Sequence, residues 1–275
     1  MENNNCIVTG CTPSHIPGVI ALYNSLLKHT DMEFDFYVLC DGEPNEFRQL
    51  TSENIKCEFG VELKHNPGGS GWGDGKTQNP SMYSRICIPE HFNNYYRVIW
   101  LDSDTIVCDN ISTLFEMDME GYPVAMSLNG NPWNREKQTL RRDMEVWKYD
   151  YDISNVDSPQ AGVMLFDIFE WNLMELTEKF VYATEDENIK GKYVVQSYLG
   201  YILMGQFKVL PFEWNVDVSW LDMAQERRML GDPHILHYIG GGKKVPWNLN
   251  GHNYIFYGKD YTDLWLQYYN KGELN

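Results

Sequence analysis

The chain of 275 residues carries a formal net charge of −17, from 39 acidic side chains against 22 lysines and arginines. This excess argues against nucleic acid and anionic membranes as partners, because both attract a cationic protein face. No apolar run approaches the roughly 20 residues of a membrane-spanning helix, and the polar start, Met1 to Asn5, does not resemble a signal peptide, so we expect a cytoplasmic protein without a transmembrane segment.

Predicted strands and helices alternate along the chain. Apolar periodicity predicts, in order, strand 6–9, helix 16–29, strand 34–39, helix 45–50, strand 57–63, helix 82–88, strands 98–101, 122–128 and 161–166, helices 171–182 and 193–204, and strand 207–210. This alternation predicts an α/β fold with a mostly parallel, Rossmann-like central sheet and helices on both faces. Nothing between the segments has the composition of a linker, so residues 1–275 are expected to form one domain.

The most informative segment, 98–104, is an apolar run that ends in two carboxylates one residue apart. Side chains alternate along a strand, so Asp102 and Asp104 should project to one side and Ser103 to the other. Two neighbouring carboxylates repel each other unless a cation lies between them. A divalent metal at the carboxyl end of a buried strand would provide that cation. The alternative is a polar strand end followed by a helix cap.

A second segment with candidate binding residues begins at His237, where an imidazole is followed by three glycines and two lysines. His237 would add a third metal ligand. Glycines let backbone amides approach an anion closely, and a lysine neutralises phosphate charge. The two segments together hold the groups that a metal-bridged diphosphate needs. The alternatives are a hydrogen-bonded core histidine and solvated lysines.

These segments resemble glycosyltransferase family 8, which includes glycogenin, galactinol synthase and bacterial lipooligosaccharide galactosyltransferases. The similarity rests on the Asp102-x-Asp104 pair and on the string His237-x-x-Gly240-x-x-Lys243. Other segments agree in the same order, namely 7–12, 83–85, 160–165 and 210–215. The resemblance spans about residues 6 to 248 and implies a single-domain nucleotide-diphospho-sugar transferase fold of the GT-A type.

The resemblance also implies a function and a set of site residues. It implies a metal-dependent, retaining glycosyltransferase of the hexosyltransferase type, which moves a sugar from a nucleotide-sugar donor, commonly a UDP-sugar, to a glycan or small-molecule acceptor. Mn²⁺ is the expected cofactor, with Mg²⁺ as the alternative, and a homodimer is compatible with the sequence. The implied metal ligands are Asp102, Asp104 and His237; the donor-binding residues are Thr9, Cys11, Thr12, Arg85, Ser103, Asn129, Ala161, Gly240 and Lys243; the catalytic residues are Gln196, Gln160 and Arg85.

The positions expected near the donor sugar depart from the family pattern. Gln160 replaces an asparagine, Val195 replaces an aspartate, and Asn129 stands where the resemblance places an acid. A carboxylate that accepts hydroxyl hydrogen bonds discriminates between sugar epimers, and a valine cannot accept such a bond. We therefore expect a donor other than plain glucose or galactose, or a relaxed choice between them. Contacts from Gln160 or Gln196 would be the alternative.

Three other functions stay open. A nucleotidyltransferase would carry a glycine-rich basic loop after the first strand, which the segment 12–15 is not. A non-catalytic sugar-nucleotide-binding protein would not need an intact metal triad. A self-glycosylating primer protein would use one of its own tyrosines as acceptor.

The segment 70–77 resembles a Walker A loop, but it lacks the first glycine and no strand leads into it.

Overall fold

The computed structural model of the protein describes residues 5–50, 52–61, 83–130, 139–146, 152–186, 188–191, 193–221, 231–239, 245–248, 255–256 and 259–269. The strands in these ranges are β1 (Asn5–Cys11), β2 (Asp35–Cys40), β3 (Ile55–Phe59), β4 (Arg97–Leu101), β5 (Thr105–Val107), β6 (Val124–Leu128), β7 (Met144–Val146), β8 (Pro159–Asp167), β9 (Ile189–Gly191), β10 (Lys208–Val209), β11 (Val216–Asp217), β12 (Ile235–His237), β13 (Ile255–Phe256) and β14 (Lys259–Asp260). The α-helices are α1 (Ile16–His29), α2 (Ile88–His91), α3 (Ser112–Phe115), α4 (Ile168–Leu173), α5 (Leu176–Glu185), α6 (Val194–Leu203) and α7 (Thr262–Leu266).

The chain divides into two compact units. The first contains residues 1–60, 101–117 and 211–275, and the second contains residues 61–100 and 118–210. Within the described part of the chain, no helix is long and apolar enough to cross a membrane. The expectation of one catalytic domain stays a prediction.

The first unit is built on the parallel strands β1, β2 and β3 and on a small sheet in the order β11-β12-β5. In the small sheet, β12 runs parallel to β11 and antiparallel to β5. Helix α1 buries apolar side chains such as Val19 and Leu26, and its Ser25 Oγ accepts a hydrogen bond of 3.0 Å from the Val107 amide of β5. A side chain of the helix therefore binds the backbone of the small sheet directly.

The second unit arranges four strands in the order β10-β6-β8-β4. Strand β10 runs parallel to β6, and β6 runs antiparallel to β8. The pairing of β6 with β8 shifts register between Met126 and Ser127: Met126 faces Met164, whereas Ser127 faces Gln160. Residues 161–163 are thus left out of the ladder with β6, and such bulges often re-aim side chains at sites.

The α/β class is confirmed: β1 and β2, β2 and β3, and β10 and β6 pair in parallel, and β6 pairs antiparallel with β8. Several predicted boundaries were wrong. The single helix predicted at 171–182 is two helices, α4 and α5, because Glu175 adopts a left-handed conformation with φ of 53°. The helix predicted at 82–88 is a 3-10 turn, Ser84–Cys87, followed by α2. Strand β3 begins at Ile55 and ends at Phe59, and residues 62–63 of the predicted strand lie outside the described ranges.

Candidate active site

Asp102, Asp104 and His237 converge in the first unit. Each contributes one potential ligand atom, and these atoms all lie within 4.8 Å of one another. His237 Nε2 is 3.0 Å from Asp104 Oδ1 and 3.8 Å from Asp102 Oδ2. The imidazole is buried at 3% exposure, whereas the carboxylates keep 24% and 21%. This carboxylate–imidazole cluster therefore has one buried member and two members that reach solvent.

The backbone brings the cluster together through a tight turn and a strand pair. Strand β4 ends at Leu101, so Asp102 and Asp104 lie in a turn rather than on the strand itself. Thr105 closes the turn, because its amide and its hydroxyl both donate to the Asp102 carbonyl, at 3.1 and 2.7 Å. Thr105 also pairs with His237 in the antiparallel ladder of β5 and β12. The predicted convergence of the two carboxylates thus arises from a turn, not from strand alternation.

A buried amide orients the imidazole. His237 Nδ1 donates to Asn215 Oδ1 at 2.9 Å, and Asn215 is itself 6% exposed. A hydrogen bond at Nδ1 directs the Nε2 lone pair of the neutral ring toward the two carboxylates, which is the arrangement of a metal-ligating histidine. Asp217 pairs with His237 in the ladder of β11 and β12, and its carboxylate accepts from the Ser219 amide at 2.8 Å.

The electrostatics of the cluster favour a bound cation. Burial is the largest influence on Asp104 and raises its pKa, but attraction to His237, with a weaker contribution from His15, outweighs it and lowers the pKa. Burial likewise opposes charge on His237, yet Asp104, Asp102 and Asp217 together raise its pKa. Two carboxylates therefore compete for one imidazole proton, and the cluster holds more negative than positive charge.

Strand β1 and the residue that follows it carry three of the predicted nucleotide-binding residues. Thr9 is fully buried and Cys11 is 1% exposed, so both side chains lie inside the unit. Thr12 is half-buried, and its hydroxyl contacts Ser14 Oγ at 3.0 Å and His15 Nδ1 at 2.8 Å. Thr12 is therefore the most accessible of the three.

Helix α1 approaches the metal-candidate turn at a glycine. A Cβ added at Gly18 would lie 2.3 Å from the carbonyl oxygen of Ser103 and 2.6 Å from the ring of Trp247. Ser103, a predicted donor contact, is buried at 8% exposure. Trp247 is fixed by a hydrogen bond of 2.8 Å from its Nε1 to the Ser14 carbonyl. The missing side chain at Gly18 thus allows the helix, the turn and the indole to pack together.

In the second unit, the register shift of β8 positions Gln160, Ala161 and Arg85. Gln160 Oε1 accepts from the Gly162 amide at 2.6 Å. The Ala161 carbonyl accepts from Arg85 Nη1, and the Arg85 guanidinium lies 4.7 Å over the ring of Trp100. The structure thus ties Arg85 to the bulge of β8. Its predicted contact with a diphosphate stays a prediction.

Asn129 belongs to a polar network around a buried carboxylate. Asp143 has no exposed surface, and its Oδ2 accepts from Asn129 Nδ2 at 2.9 Å and from the Ser158 hydroxyl. The Asn129 amide also donates from its backbone to the Ser158 carbonyl at 2.8 Å. We call Asn129, Asp143 and Ser158 the Asp143 network. It places a carboxylate directly behind the position where the family pattern has an acid.

Helix α6 carries the two remaining sugar-pocket candidates. Val195 is buried at 4% exposure, so its side chain packs inside the unit, whereas Gln196 is half-buried. The predicted residues Gly240 and Lys243 lie outside the described residues. The Walker-like segment at 70–77 also lies outside them.

Comparison with known families decides the family of the chain. The model of glycosyl transferase family 8 matches residues 6–251, nearly the whole chain. The chain belongs to glycosyltransferase family 8. The resemblance read from the sequence is thus confirmed, and so is the assignment as a hexosyltransferase-type enzyme.

The relatives of the chain are distant in sequence. The chain is 26% identical to general stress protein A of Bacillus subtilis over 250 residues, which cover 83% of the chain and 82% of that protein. It is 27% identical to glycosyltransferase GlyF of Streptococcus pneumoniae over 231 residues, covering 82% of the chain and 52% of GlyF. The solved structure of galactosyltransferase LgtC superposes with a TM-score of 0.72 at 16% identity, over 97% of the chain and 95% of LgtC. This likeness confirms the predicted nucleotide-diphospho-sugar transferase fold.

The family 8 pattern did not assign roles to Asn215, Asp217 or Asp143. Asn215 falls in the family's Trp-Asn segment, which was the one available signal for it. Strand β11, which carries Asp217, has two residues and no detectable periodicity. Asp143 follows a 3-10 turn, and its partners Asn129 and Ser158 are 14 and 15 residues away in sequence. Sequence spacing alone could not have linked them.

Proposed function

We propose that this family 8 enzyme transfers a sugar from a UDP-sugar to a hydroxyl acceptor with retention of anomeric configuration, and that Asp102, Asp104 and His237 hold the divalent cation this requires. The observation that carries the proposal is the convergence of two carboxylates and an oriented imidazole within 4.8 Å. A cation would relieve the excess negative charge of the cluster. Mixed carboxylate and imidazole ligands suit Mn²⁺, with Mg²⁺ as the harder alternative.

The surroundings of Asp102, Asp104 and His237 also suit a bound cation. Asn215 supports the imidazole from behind, as the outer shell of a metal site does. Both carboxylates keep access to solvent, so a cation and a phosphate can enter. When bound, such a cation stabilises the negative charge that develops on a departing diphosphate.

The chemistry assigned to the chain's own residues is binding and orientation. The C1–O bond to the diphosphate breaks and its electron pair stays on the phosphate oxygen. C1 bonds to the acceptor oxygen, and the proton of that hydroxyl passes to the departing phosphate oxygen. Arg85 and Lys243 are proposed to neutralise the diphosphate, and Thr12 to contact the uridine. Gln160 and Gln196 are proposed to orient the sugar. Neither is a nucleophile, so the proposal involves no glycosyl-enzyme intermediate.

The donor sugar is proposed to differ from plain glucose or galactose. The support is that Val195 is buried and that Asn129 offers a neutral amide where an acid is expected. Of three Arabidopsis thaliana relatives, one is a probable galacturonosyltransferase, one is a probable galacturonosyltransferase-like protein, and one is a hexosyltransferase. A uronic-acid donor is therefore a reasonable member of the test panel, because a neutral site does not repel its carboxylate.

A donor panel tests this function. The enzyme is incubated with UDP-glucose, UDP-galactose and UDP-galacturonate, with Mn²⁺ or with a chelator, and released UDP and products are measured by mass spectrometry. We expect metal-dependent UDP release from at least one donor. An intact-mass measurement of the protein detects self-glycosylation. No UDP release from any nucleotide sugar, or release that the chelator leaves undiminished, would overturn the proposal.

A further inference from the structure

We propose that Asp143 is a positioning residue that sets donor choice: its buried carboxylate turns the Asn129 amide so that a neutral carbonyl oxygen, Oδ1, is presented to the sugar. This inference rests on the proposed function and refines it. It identifies the group that takes the place of the family's acid. The ligand is the donor's hexose, and the contact is a hydroxyl donating to Asn129 Oδ1.

The orientation of Asn129 follows from what each partner can do in a hydrogen bond. A carboxylate only accepts, so the atom of Asn129 that faces Asp143 must be Nδ2, which lies 2.9 Å from Oδ2. The side chain of Asn129 is half-buried, whereas Asp143 has no exposed surface. The carbonyl end of the amide is thereby directed away from the buried carboxylate.

The rest of the network restricts the rotation of this pair. Ser158 donates its hydroxyl to the same Asp143 oxygen, and its backbone carbonyl accepts from the Asn129 amide at 2.8 Å. Asp143 is held at the end of a 3-10 turn by a hydrogen bond of 2.8 Å from its amide to Leu140. Asn129 directly follows Leu128, which pairs with Pro159 at the end of the β6–β8 ladder. Neither partner can turn without breaking contacts on two segments.

At position 129, the sugar would meet the dipole of an amide carbonyl instead of the charge of a carboxylate. A carboxylate at position 129 would accept strong hydrogen bonds from sugar hydroxyls and would repel a negatively charged sugar. An amide carbonyl accepts from a hydroxyl without that repulsion. The negative charge of Asp143 lies on the far side of the Asn129 amide, where hydrogen bonds from Asn129 and Ser158 shield it.

The test combines the single variants Asp143→Asn and Asn129→Asp with the double variant that exchanges the two residues. Thermal unfolding reports the fold, calorimetry with Mn²⁺ reports affinity for UDP and for UDP-sugars, and kinetics report kcat/KM for each donor. For Asp143→Asn we expect UDP affinity to be unchanged and kcat/KM for the preferred donor to fall about tenfold, as for the loss of one hydrogen bond. Asn129→Asp sets two carboxylates against each other and should lower the Tm.

The exchanged variant separates positioning from mere stability. It restores one hydrogen-bond donor and one hydrogen-bond acceptor between positions 129 and 143, so we expect a Tm near that of the wild type. It also presents a carboxylate at position 129, so the ratio of kcat/KM between UDP-galacturonate and UDP-galactose should shift about tenfold or more against the charged donor. The control is Asp167→Asn in the same unit, which replaces a buried carboxylate that caps α4 through the Glu170 amide. It should leave the donor ratio unchanged.

Three outcomes would overturn the inference. They are an unchanged donor profile in Asp143→Asn, a wild-type donor ratio in the exchanged variant, and a wild type that binds no UDP-sugar more tightly than UDP. The last outcome is distinct from failure of the proposed function, which would appear as an absence of metal-dependent UDP binding and release in the wild type itself.

Discussion

The carboxylate–imidazole cluster and the Asp143 network both surround acidic side chains, but they treat the charge in opposite ways. In the cluster, Asp102 and Asp104 share one imidazole and keep access to solvent. In the network, Asp143 is fully buried and accepts from the neutral side chains of Asn129 and Ser158. The first arrangement leaves negative charge available for a ligand, and the second keeps its charge enclosed.

The difference indicates what each region can bind. Buried carboxylates persist when hydrogen bonds replace their lost hydration, and the Asp143 network supplies such bonds from within the unit. The cluster instead combines repelling carboxylates with an imidazole whose second nitrogen is fixed by Asn215. We therefore expect the cluster to depend on an external cation and the network to act only through hydrogen bonds.

The largest expected effect is at the cluster. Asp102→Asn or Asp104→Asn should lower activity by at least about 10²-fold, as for the loss of a group that stabilises developing charge. The metal-free fold should be retained, because one of two repelling charges is removed. UDP release from the donor measures activity, electron paramagnetic resonance of Mn²⁺ measures metal binding, and Tm measures the fold. The control is Asp109→Asn, an exposed carboxylate paired with His234 at 2.7 Å. Near-normal activity in either cluster variant would contradict the assignment.

The second largest effect is expected at Asn215, which holds the imidazole of His237. Asn215→Ala should weaken metal affinity about 10- to 100-fold, which is typical of losing an outer-shell partner of a ligand. Asn215→Asp should keep most of the affinity, since its carboxylate also accepts from Nδ1. Metal titration by calorimetry distinguishes the two. Asn172→Ala, which removes an amide bonded to the Pro89 carbonyl in the other unit, is the control. Equal metal affinity in wild type and Asn215→Ala would exclude this role.

Packing of the cluster's turn gives a third prediction. Gly18→Ala should lower the free energy of unfolding by about 1–3 kcal/mol, the usual cost of overpacking. The added Cβ would lie 2.3 Å from the Ser103 carbonyl, which is backbone and cannot move aside without shifting the turn. Metal affinity should fall in the same variant. Gly231→Ala serves as control, since its Cβ would meet its nearest neighbour at 3.8 Å. Chemical denaturation measures both variants, and equal stabilities would count against the tight packing.

The smallest expected effect is in the network. Ser158→Ala should lower the free energy of unfolding by about 1–2 kcal/mol, because a buried carboxylate loses one donor. Metal affinity should stay unchanged, in contrast to every variant of the cluster. Ser154→Ala, which removes a hydroxyl bonded to the Arg141 side chain, is the matched control. A loss of metal binding in Ser158→Ala would remove the distinction between the two regions.

The sequence predicted the cluster better than the network, for a physical reason. A buried apolar strand ending in Asp102 and Asp104 leaves a strong local pattern, and His237 precedes a glycine-rich run. The turn that actually brings the carboxylates together, and the two-residue strand β11 that carries Asp217, have no such pattern. The Asp143 network depends on contacts between irregular segments, which only the folded chain shows. Glu175, with its left-handed conformation, likewise broke a helix that periodicity predicted as continuous.

The most direct test of the account is a calorimetric titration of UDP into the wild-type enzyme with and without Mn²⁺. If the cation at Asp102, Asp104 and His237 contacts the diphosphate, the two ligands stabilise each other's binding, and the coupling is reciprocal. We predict that Mn²⁺ raises UDP affinity by about 5- to 150-fold, within the usual range of such coupling, and that Asp104→Asn abolishes this increase. Equal UDP affinity with and without Mn²⁺ would contradict the central claim.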